Sequence, residues 1–260
     1  MRLFHNGLLK LIGVYPMELS LSMKKTKYIF LWDIDGTLIQ SGGAGVKAIF
    51  RTIKELYKLE LTPDEIDYRG RTDLMIAKQI LSRCAVPFTS KNLSLYRNYY
   101  FRVLREEMLQ SPNGNLCPGI LDIVKTLDQI PTVKMGLLTG NFKKAAQIKL
   151  SHFGLWTYFS FGIFGDLHES RDYLAQTASE LVKGMMGPGI EPKNIWVIGD
   201  TPHDVLCAKS AGFSSVAVST GGFSQEQLGK VYPDHLFASF SRPSDFFSLF
   251  PFIDLPDKSR

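Results

Sequence analysis

Two patterns of apolar positions divide the chain. At 27–33 and again after residue 112, short apolar runs alternate with segments whose apolar residues recur at helical spacing. The runs predict strands at 27–33, 133–138, 158–164, 195–199 and 215–218, and the segments predict helices at 118–127, 171–185 and 202–211 and one that ends at Gly154. A phenylalanine-rich tail, residues 237–252, predicts a terminal strand and helix packed on this core. Apolar strands alternating with helices predict an α/β fold with a mostly parallel, Rossmann-like sheet covered on both faces.

Residues 41–112 differ, because no strand-like run interrupts them. Their apolar spacing predicts three helices, of which the second and third follow Thr72 and Ser90. An all-helical block of this size predicts a separate small α-helical cap domain, inserted into a core formed by 23–40 and 113–260.

Residues 1–22 need a separate interpretation. Lys10, Pro16 and Glu18 interrupt the continuous apolar stretch that a signal peptide requires. We therefore expect a poorly ordered extension, or a start codon assigned too early, with Met23 opening the domain.

Composition and charge narrow the class of protein. The 260 residues are 45% hydrophobic and 21% charged, and a net charge of +5 is spread along the chain. This composition is ordinary for a globular protein. The mildly positive charge weakly favours a small anionic substrate, and its even spread gives no basic patch of the kind that binds nucleic acid. Three well-separated cysteines, and no apolar run long enough for a transmembrane helix, favour a cytoplasmic protein without a membrane partner. A monomer and a homodimer both remain open.

Polar residues follow three of the predicted strands. Asp33 and Asp35 come after the first, Thr139 and Asn141 after the second, and Asp200 after the fourth. Because the carboxyl ends of parallel strands share one edge of a sheet, these residues can converge on one site. Acids gathered there would repel each other unless a cation neutralised them, and oxygen-only ligation suits Mg²⁺. Helix capping is an alternative for Thr139 or Asn141 taken alone.

Three segments then carry a resemblance to a known family. Residues 33–38 (DIDGTL), 138–141 (LTGN) and 199–204 (GDTPHD) resemble, in this order and spacing, the motifs of the haloacid dehalogenase-like hydrolase superfamily. The branch with a helical cap after the first motif, which includes phosphoglycolate phosphatases, is the most similar. The resemblance implies the sheet core and inserted cap of that superfamily.

The resemblance also implies a role for each acid. Asp33 would attack phosphorus and form an aspartyl-phosphate, and Asp35 would protonate the leaving oxygen and later take a proton from the hydrolytic water. Mg²⁺ would be held by the carboxylates of Asp33 and Asp200 and by the main-chain carbonyl of Asp35. Asp204 would position the metal site, although with Thr201 it also has the spacing of a capping box.

Other residues would bind the phosphoryl group. Thr139 and the Gly140 amide would hydrogen-bond its oxygens, and Gly36 and Asn141 would line the same substrate site. All four lie in the first two motifs of the resemblance.

The superfamily also uses a cation, usually a lysine, to balance the charge on the transferring group. We predict Arg171, at the start of the helix after the third strand, in preference to the more distant Lys183. A surface ion pair with Asp172 or Glu169 is the alternative interpretation of Arg171.

Substrate choice would come from the cap loop 68–73 and from the helix around Arg97 and Arg102. A solvated helix face, with Thr72 as a helix cap, is the alternative for each of these residues. We retain Arg71 alone as a substrate-binding candidate.

Asp35 also separates classes within the superfamily, because dehalogenases and phosphonatases lack an acid two residues after the nucleophile. It predicts a Mg²⁺-dependent phosphatase of a small phosphorylated metabolite, resembling phosphoglycolate phosphatase. A sugar phosphomutase of the β-phosphoglucomutase type is the alternative. A non-catalytic binding protein on the same fold is a third interpretation.

Overall fold

A computed structural model describes residues 26–68, 70–166, 171–186, 190–251, 253 and 255–256. The predicted extension at 1–22 lies outside these residues, as do Arg69 of the cap loop and Phe252 of the tail. The side chains of Arg171 and Lys183 also lie outside the described part of the chain.

Strands and helices alternate along the described chain, except that the second strand directly follows the first and three successive helices precede the third. The strands are β1 Tyr28–Trp32, β2 Ile39–Gln40, β3 Asn115–Leu116, β4 Val133–Leu138, β5 Phe161–Ile163, β6 Ile195–Gly199, β7 Ser214–Val218 and β8 His235–Phe237. The helices are α1 Ala44–Thr52 (continued by a wider turn, Ile53–Tyr57), α2 Asp73–Arg83, α3 Ser90–Gln110, α4 Ile120–Asp128, α5 Lys143–His152, α6 Arg171–Met186, α7 Pro202–Ala211, α8 Gln225–Gly229 and α9 Pro243–Phe247.

Six of the strands form one parallel sheet in the order β5-β4-β1-β6-β7-β8, which confirms the predicted α/β fold. β1 lies in the centre, where Trp32 pairs in register with Leu137 of β4 and Ile198 of β6. The strand predicted at 158–164 is wrong at its start, because a short helical turn, Trp156–Tyr158, precedes a strand of only three residues. The carboxyl ends of β1, β4 and β6 therefore meet at one edge.

Helices cover both faces of this sheet. The tail packs on one face, as predicted: Phe240, Phe246 and Phe250 are buried there, and the Phe246 ring centroid lies 5.8 Å from that of Trp32. α6 and α7 supply apolar residues to the opposite face. Among the described helices, none combines the length and apolarity needed to cross a bilayer.

The helices α1–α3 lie between β2 and β3, which pair antiparallel and join this block to the sheet. They enclose their own apolar cluster, which also includes Phe142 at the start of α5. Thr72 caps α2 as expected, since its Oγ1 accepts a hydrogen bond from Met75 N at 3.3 Å. α3 is capped instead by Thr89, because Ser90 is already its first helical residue. The domain boundaries at 41 and 112 stay a prediction.

Candidate active site

Three buried acids meet at the carboxyl edge of the sheet. Asp33 directly follows β1, and its amide donates to Ile198 O at 2.9 Å. Asp200 directly follows β6, and Asp204 lies in the first turn of α7. All three are buried, and one carboxylate oxygen from each lies within 4.8 Å of the others. A buried donor set made only of carboxylate oxygens fits a hard divalent cation such as Mg²⁺.

Asp204 has two functions in this geometry. Its Oδ2 accepts from the Thr201 amide at 3.0 Å and from Thr201 Oγ1 at 2.6 Å, which is the capping box that the sequence allowed. The same side chain belongs to the group of three acids. Capping therefore holds the carboxylate beside Asp33 and Asp200.

Two glycines, because they have no side chain, make room for the Asp200 carboxylate. Gly36 has φ 84°, and a Cβ on it would lie 2.5 Å from Asp200 Oδ2. A Cβ on Gly221 would lie 1.7 Å from the same oxygen. Thr37 Oγ1 donates to Asp200 Oδ1 at 3.1 Å, so this carboxylate is enclosed on several sides. The structure thus brings Gly36 against Asp200, and Gly221 is a site residue that the sequence analysis missed.

A second polar group lies beside the three acids. Asn141 Nδ2 donates to Asp35 Oδ2 and to Thr139 Oγ1, both at 2.9 Å. Lys149 Nζ donates to Asp35 Oδ2 at 2.5 Å and to Asn141 Oδ1 at 2.7 Å. The structure therefore brings together Asp35, Thr139 and Asn141, three of the candidate site residues, around a lysine that the sequence analysis did not name.

Lys149 is buried, with 4% of its surface exposed, although the same helix carries a half-buried Lys143 and an exposed Lys144. It shares the inward face of α5 with Ala145, Ala146 and Leu150. A lysine at a position in this apolar stripe was the signal in the sequence that could have identified it, because a buried lysine needs an anionic partner.

The cap contributes an acid to the same region. Asp73, the first residue of α2, accepts a hydrogen bond from Phe142 N through its Oδ2 at 2.7 Å. Burial raises the pKa of Asp73 to about 6, although Lys149 and the Phe142 amide act to lower it. The neighbouring charges of Asp35 and Asp166 raise this pKa further.

The predicted cations of the cap are engaged in ion pairs. Arg71 pairs with Asp67 at 2.6 Å on the exposed surface. Arg97 pairs with Asp166 at 2.5 Å, and Arg102 pairs with acids of the cap. Arg171 begins α6, but its side chain lies outside the described part of the structure, so its role as the phosphate-balancing cation stays a prediction.

A family model described as haloacid dehalogenase-like hydrolase matches residues 30–218, and the chain belongs to this family. A Dickeya dadantii protein named "Probable phosphatase IndB" is 25% identical over 83% of this chain and 91% of its own length. The phosphoglycolate phosphatase of Aquifex aeolicus is 26% identical over 85% of this chain and 95% of its own length.

A solved structure has the same fold. The crystal structure of a hydrolase from Pseudomonas syringae has a TM-score of 0.66 at 18% identity, over 86% of this chain and 99% of that one. The family match and the phosphatase-named relatives confirm the predicted family and the predicted enzyme class, a phosphatase-type hydrolase.

Proposed function

We propose that the protein is a Mg²⁺-dependent phosphatase that hydrolyses a small phosphorylated metabolite through an aspartyl-phosphate on Asp33. The observation that carries the proposal is the pair of adjacent groups at the sheet edge. Asp33, Asp200 and Asp204 form a buried cluster of carboxylates, and Asp35, Asn141 and Lys149 form a hydrogen-bonded group beside it.

In the first step a carboxylate oxygen of Asp33 attacks phosphorus, and the bond from phosphorus to the leaving oxygen breaks. Asp35, in its protonated form, gives that proton to the leaving oxygen, so the alcohol departs neutral and the Asp35 carboxylate is left paired with Lys149. In the second step water attacks phosphorus, Asp35 takes the water proton, and the bond to Asp33 breaks to release phosphate. Partial exposure supports the role of Asp35, whose side chain is 40% exposed, whereas Asp33 is buried.

Thr139 and the Gly140 amide would hydrogen-bond the phosphoryl oxygens, with Gly36 and Asn141 lining the same site. Asn141 links Thr139 to Asp35 by hydrogen bonds from one amide nitrogen, which favours a fixed spacing between phosphate and proton donor. Preorganised donors of this kind are worth most where charge develops in the transition state.

Two cations compete for the balancing charge. Lys149 is our candidate from geometry, because its ammonium is buried and within hydrogen-bonding distance of both Asp35 and Asn141. Arg171 remains the candidate from the sequence, because it begins the helix that follows the third predicted strand. Variants at each position, described below, separate them.

Asp33, Asp200 and the main-chain carbonyl of Asp35 would hold Mg²⁺, and Asp204 would orient the site. The bound ion would neutralise the clustered carboxylates and the charge of the phosphate. The all-oxygen donor set within 4.8 Å supports this choice of metal.

Phosphoglycolate is our first candidate substrate, because relatives named phosphoglycolate phosphatase align over most of this chain. A relative at comparable identity is named as a pyrophosphatase, so the substrate panel has to include both phosphoglycolate and pyrophosphate. Arg71 would contribute from the cap loop if its pair with Asp67 opened on binding.

The test is a panel of phosphorylated metabolites assayed for free phosphate with Mg²⁺ and with excess chelator. We expect turnover of one or a few esters by the wild type, loss of turnover with chelator, and a loss of at least about a thousandfold in Asp33→Asn. Asp122→Asn, an exposed acid of α4, is the matched control and should retain full activity. An inert wild type across the panel would contradict the proposal and favour a non-catalytic binding protein.

The phosphomutase alternative predicts a different product. A sugar phosphate incubated with the enzyme and a catalytic amount of its bisphosphate would yield the isomeric sugar phosphate without net free phosphate. Release of phosphate in proportion to substrate consumed excludes this alternative.

A further inference from the structure

The N-terminus of α5 is capped by acids from two other parts of the chain. Its own N-cap residue, Phe142, provides no capping side chain. Instead Asp73 of the cap accepts from Phe142 N at 2.7 Å, and Asp166, after β5, accepts from Lys143 N at 2.6 Å. Both acids satisfy amides that a helix start leaves without intrahelical partners, and both place negative charge at the favourable end of the helix dipole.

The cap holds this helix start in more than one way. The Asp73 amide donates to Gly140 O at 2.7 Å, and Asp73 Oδ2 accepts from Phe142 N, so Asp73 binds the main chain on both sides of Asn141. Arg97 of α3 pairs with Asp166 at 2.5 Å, and its guanidinium carbon lies 4.5 Å from the Phe142 ring centroid. These contacts connect two cap helices to the loop that precedes α5.

The loop and the cap approach closely at this point. A Cβ on Gly140 would lie 2.6 Å from Arg71 O, and one on Gly165 would lie 3.1 Å from Thr72 Cβ. Glycine at 140 therefore lets the segment 71–73 lie directly on the loop that follows β4. Glycine at 165 lets the loop after β5 approach Gly140 itself, because a Cβ there would lie 2.0 Å from Gly140 O, and it leaves Thr72 in contact beside them.

α5 also carries Lys149, less than two turns from its start. Lys149 Nζ reaches back to Asn141 Oδ1 at 2.7 Å, so the lysine, the helix start and the loop form one closed unit. Because Lys149 also donates to Asp35, we expect a shift of the first turn of α5 to move Lys149 relative to Asp35.

We propose that Asp73 is a positioning residue through which the docked cap holds α5, and with it Lys149 and Asn141, in the geometry of the reaction. The inference rests on the proposed function of this site. It gives the cap a part in assembling the phosphate site in addition to selecting the substrate. Its rival is a purely local role, in which Asp73 only provides a favourable negative charge at the start of α2.

Three variants separate these roles. Asp73→Ala removes the acceptor of the Phe142 amide, whereas Asp73→Asn keeps an acceptor oxygen of the same size and removes the charge. Asp64→Ala removes an exposed acid of the same cap and serves as the control. We expect Asp73→Ala to lower kcat about tenfold with a smaller change in KM, Asp73→Asn to recover most of that loss, and Asp64→Ala to stay within about twofold.

Amide hydrogen exchange gives a readout independent of turnover. In a peptide covering 140–146, exchange should be faster in Asp73→Ala than in wild type and close to wild type in Asp73→Asn. If Asp73→Ala does not fold, Arg97→Gln takes its place. This variant removes the ion pair that holds Asp166, the second acid at the start of α5, so it should likewise lower kcat and speed amide exchange in 140–146.

Unchanged kcat and unchanged exchange in a folded Asp73→Ala would overturn the inference while leaving the proposed phosphatase intact. Equal losses in the Ala and Asn variants would also overturn it, since the acceptor oxygen would then not matter. If the wild type is inert on every phosphate ester, the proposed function fails, and the exchange rates alone decide whether Asp73 holds α5.

Discussion

Lys149 carries a charge at a position where its helix neighbours are apolar. Its ammonium contacts Asp35 and Asn141, and these contacts offset the cost of burying its charge. Replacing Lys149 while keeping Asp35 leaves that acid without its cation. This combination is what a residue that balances phosphate charge requires.

Lys149→Met should lower kcat/KM by about a hundredfold or more, because one preorganised donor to the transferring group is lost. Lys144→Met, on the exposed side of the same helix, should stay near wild type. Steady-state kinetics on the best substrate of the panel make the comparison. Arg171→Met is assayed in parallel: full activity there with loss in Lys149→Met favours Lys149, and the reverse pattern favours Arg171.

Gly221 and Gly222 form a matched pair for testing the metal site. A Cβ at Gly221 would lie 1.7 Å from Asp200 Oδ2, whereas a Cβ at Gly222 meets nothing within 4 Å. Gly221→Ala should therefore displace the Asp200 carboxylate, lower kcat/KM about a hundredfold and weaken activation by Mg²⁺. Gly222→Ala should leave both within about twofold, and equal behaviour of the two variants would contradict the assigned position of Asp200.

At the scale of elements, the contact between α2 and α5 gives a pH dependence. The pKa of Asp73 is about 6 in the folded protein against an ordinary 3.8, so the folded state favours the protonated carboxyl. The stability associated with this group is thus fully present below pH 3.8 and is lost as pH rises through 6.

Asp73→Asn cannot ionise, so it should be more stable than wild type at pH 8, by at most about 3 kcal/mol, and the gain should shrink below about 1 kcal/mol at pH 4. Urea unfolding of both proteins at the two pH values measures the difference. A difference in unfolding free energy that does not change with pH would show that the Asp73 carboxyl is not the group involved.

The elements of the core could be predicted because each strand is a compact apolar run. The runs at 133–138 and 195–199 match β4 and β6 residue for residue. The run at 158–164 failed, because aromatic residues are as compatible with the helical turn Trp156–Tyr158 as with a strand. A single sequence does not distinguish these two uses of an apolar side chain.

The candidate site could be predicted only in part, for a physical reason. Residues that end strands are brought together by the parallel sheet, so Asp33, Thr139 and Asp200 could be assigned to one edge from the pattern alone. Lys149 and Gly221 lie outside the motifs, and their proximity depends on how α5 and the loop after β7 approach the edge. Asp73 depends on the docking of the cap, which helical periodicity does not specify.

At the scale of the whole molecule, a parallel sheet presents three clustered carboxylates at one edge, and an inserted helical block packs against the loop beside them. The sheet edge would supply the nucleophile and the metal ligands. The cap would supply access and, through Asp73, part of the positioning. A phosphatase of the haloacid dehalogenase-like family with this division of roles should pass its phosphoryl group through one particular carboxylate.

Acid quenching during turnover of the best substrate, followed by mass spectrometry of the proteolysed enzyme, tests that claim most directly. We expect a phosphoryl group on Asp33, in the peptide that contains β1, in the wild type and none in Asp33→Asn. Label on another residue, or turnover with no trapped label even when the second step is slowed in Asp35→Asn, would contradict the assignment of Asp33 as the nucleophile.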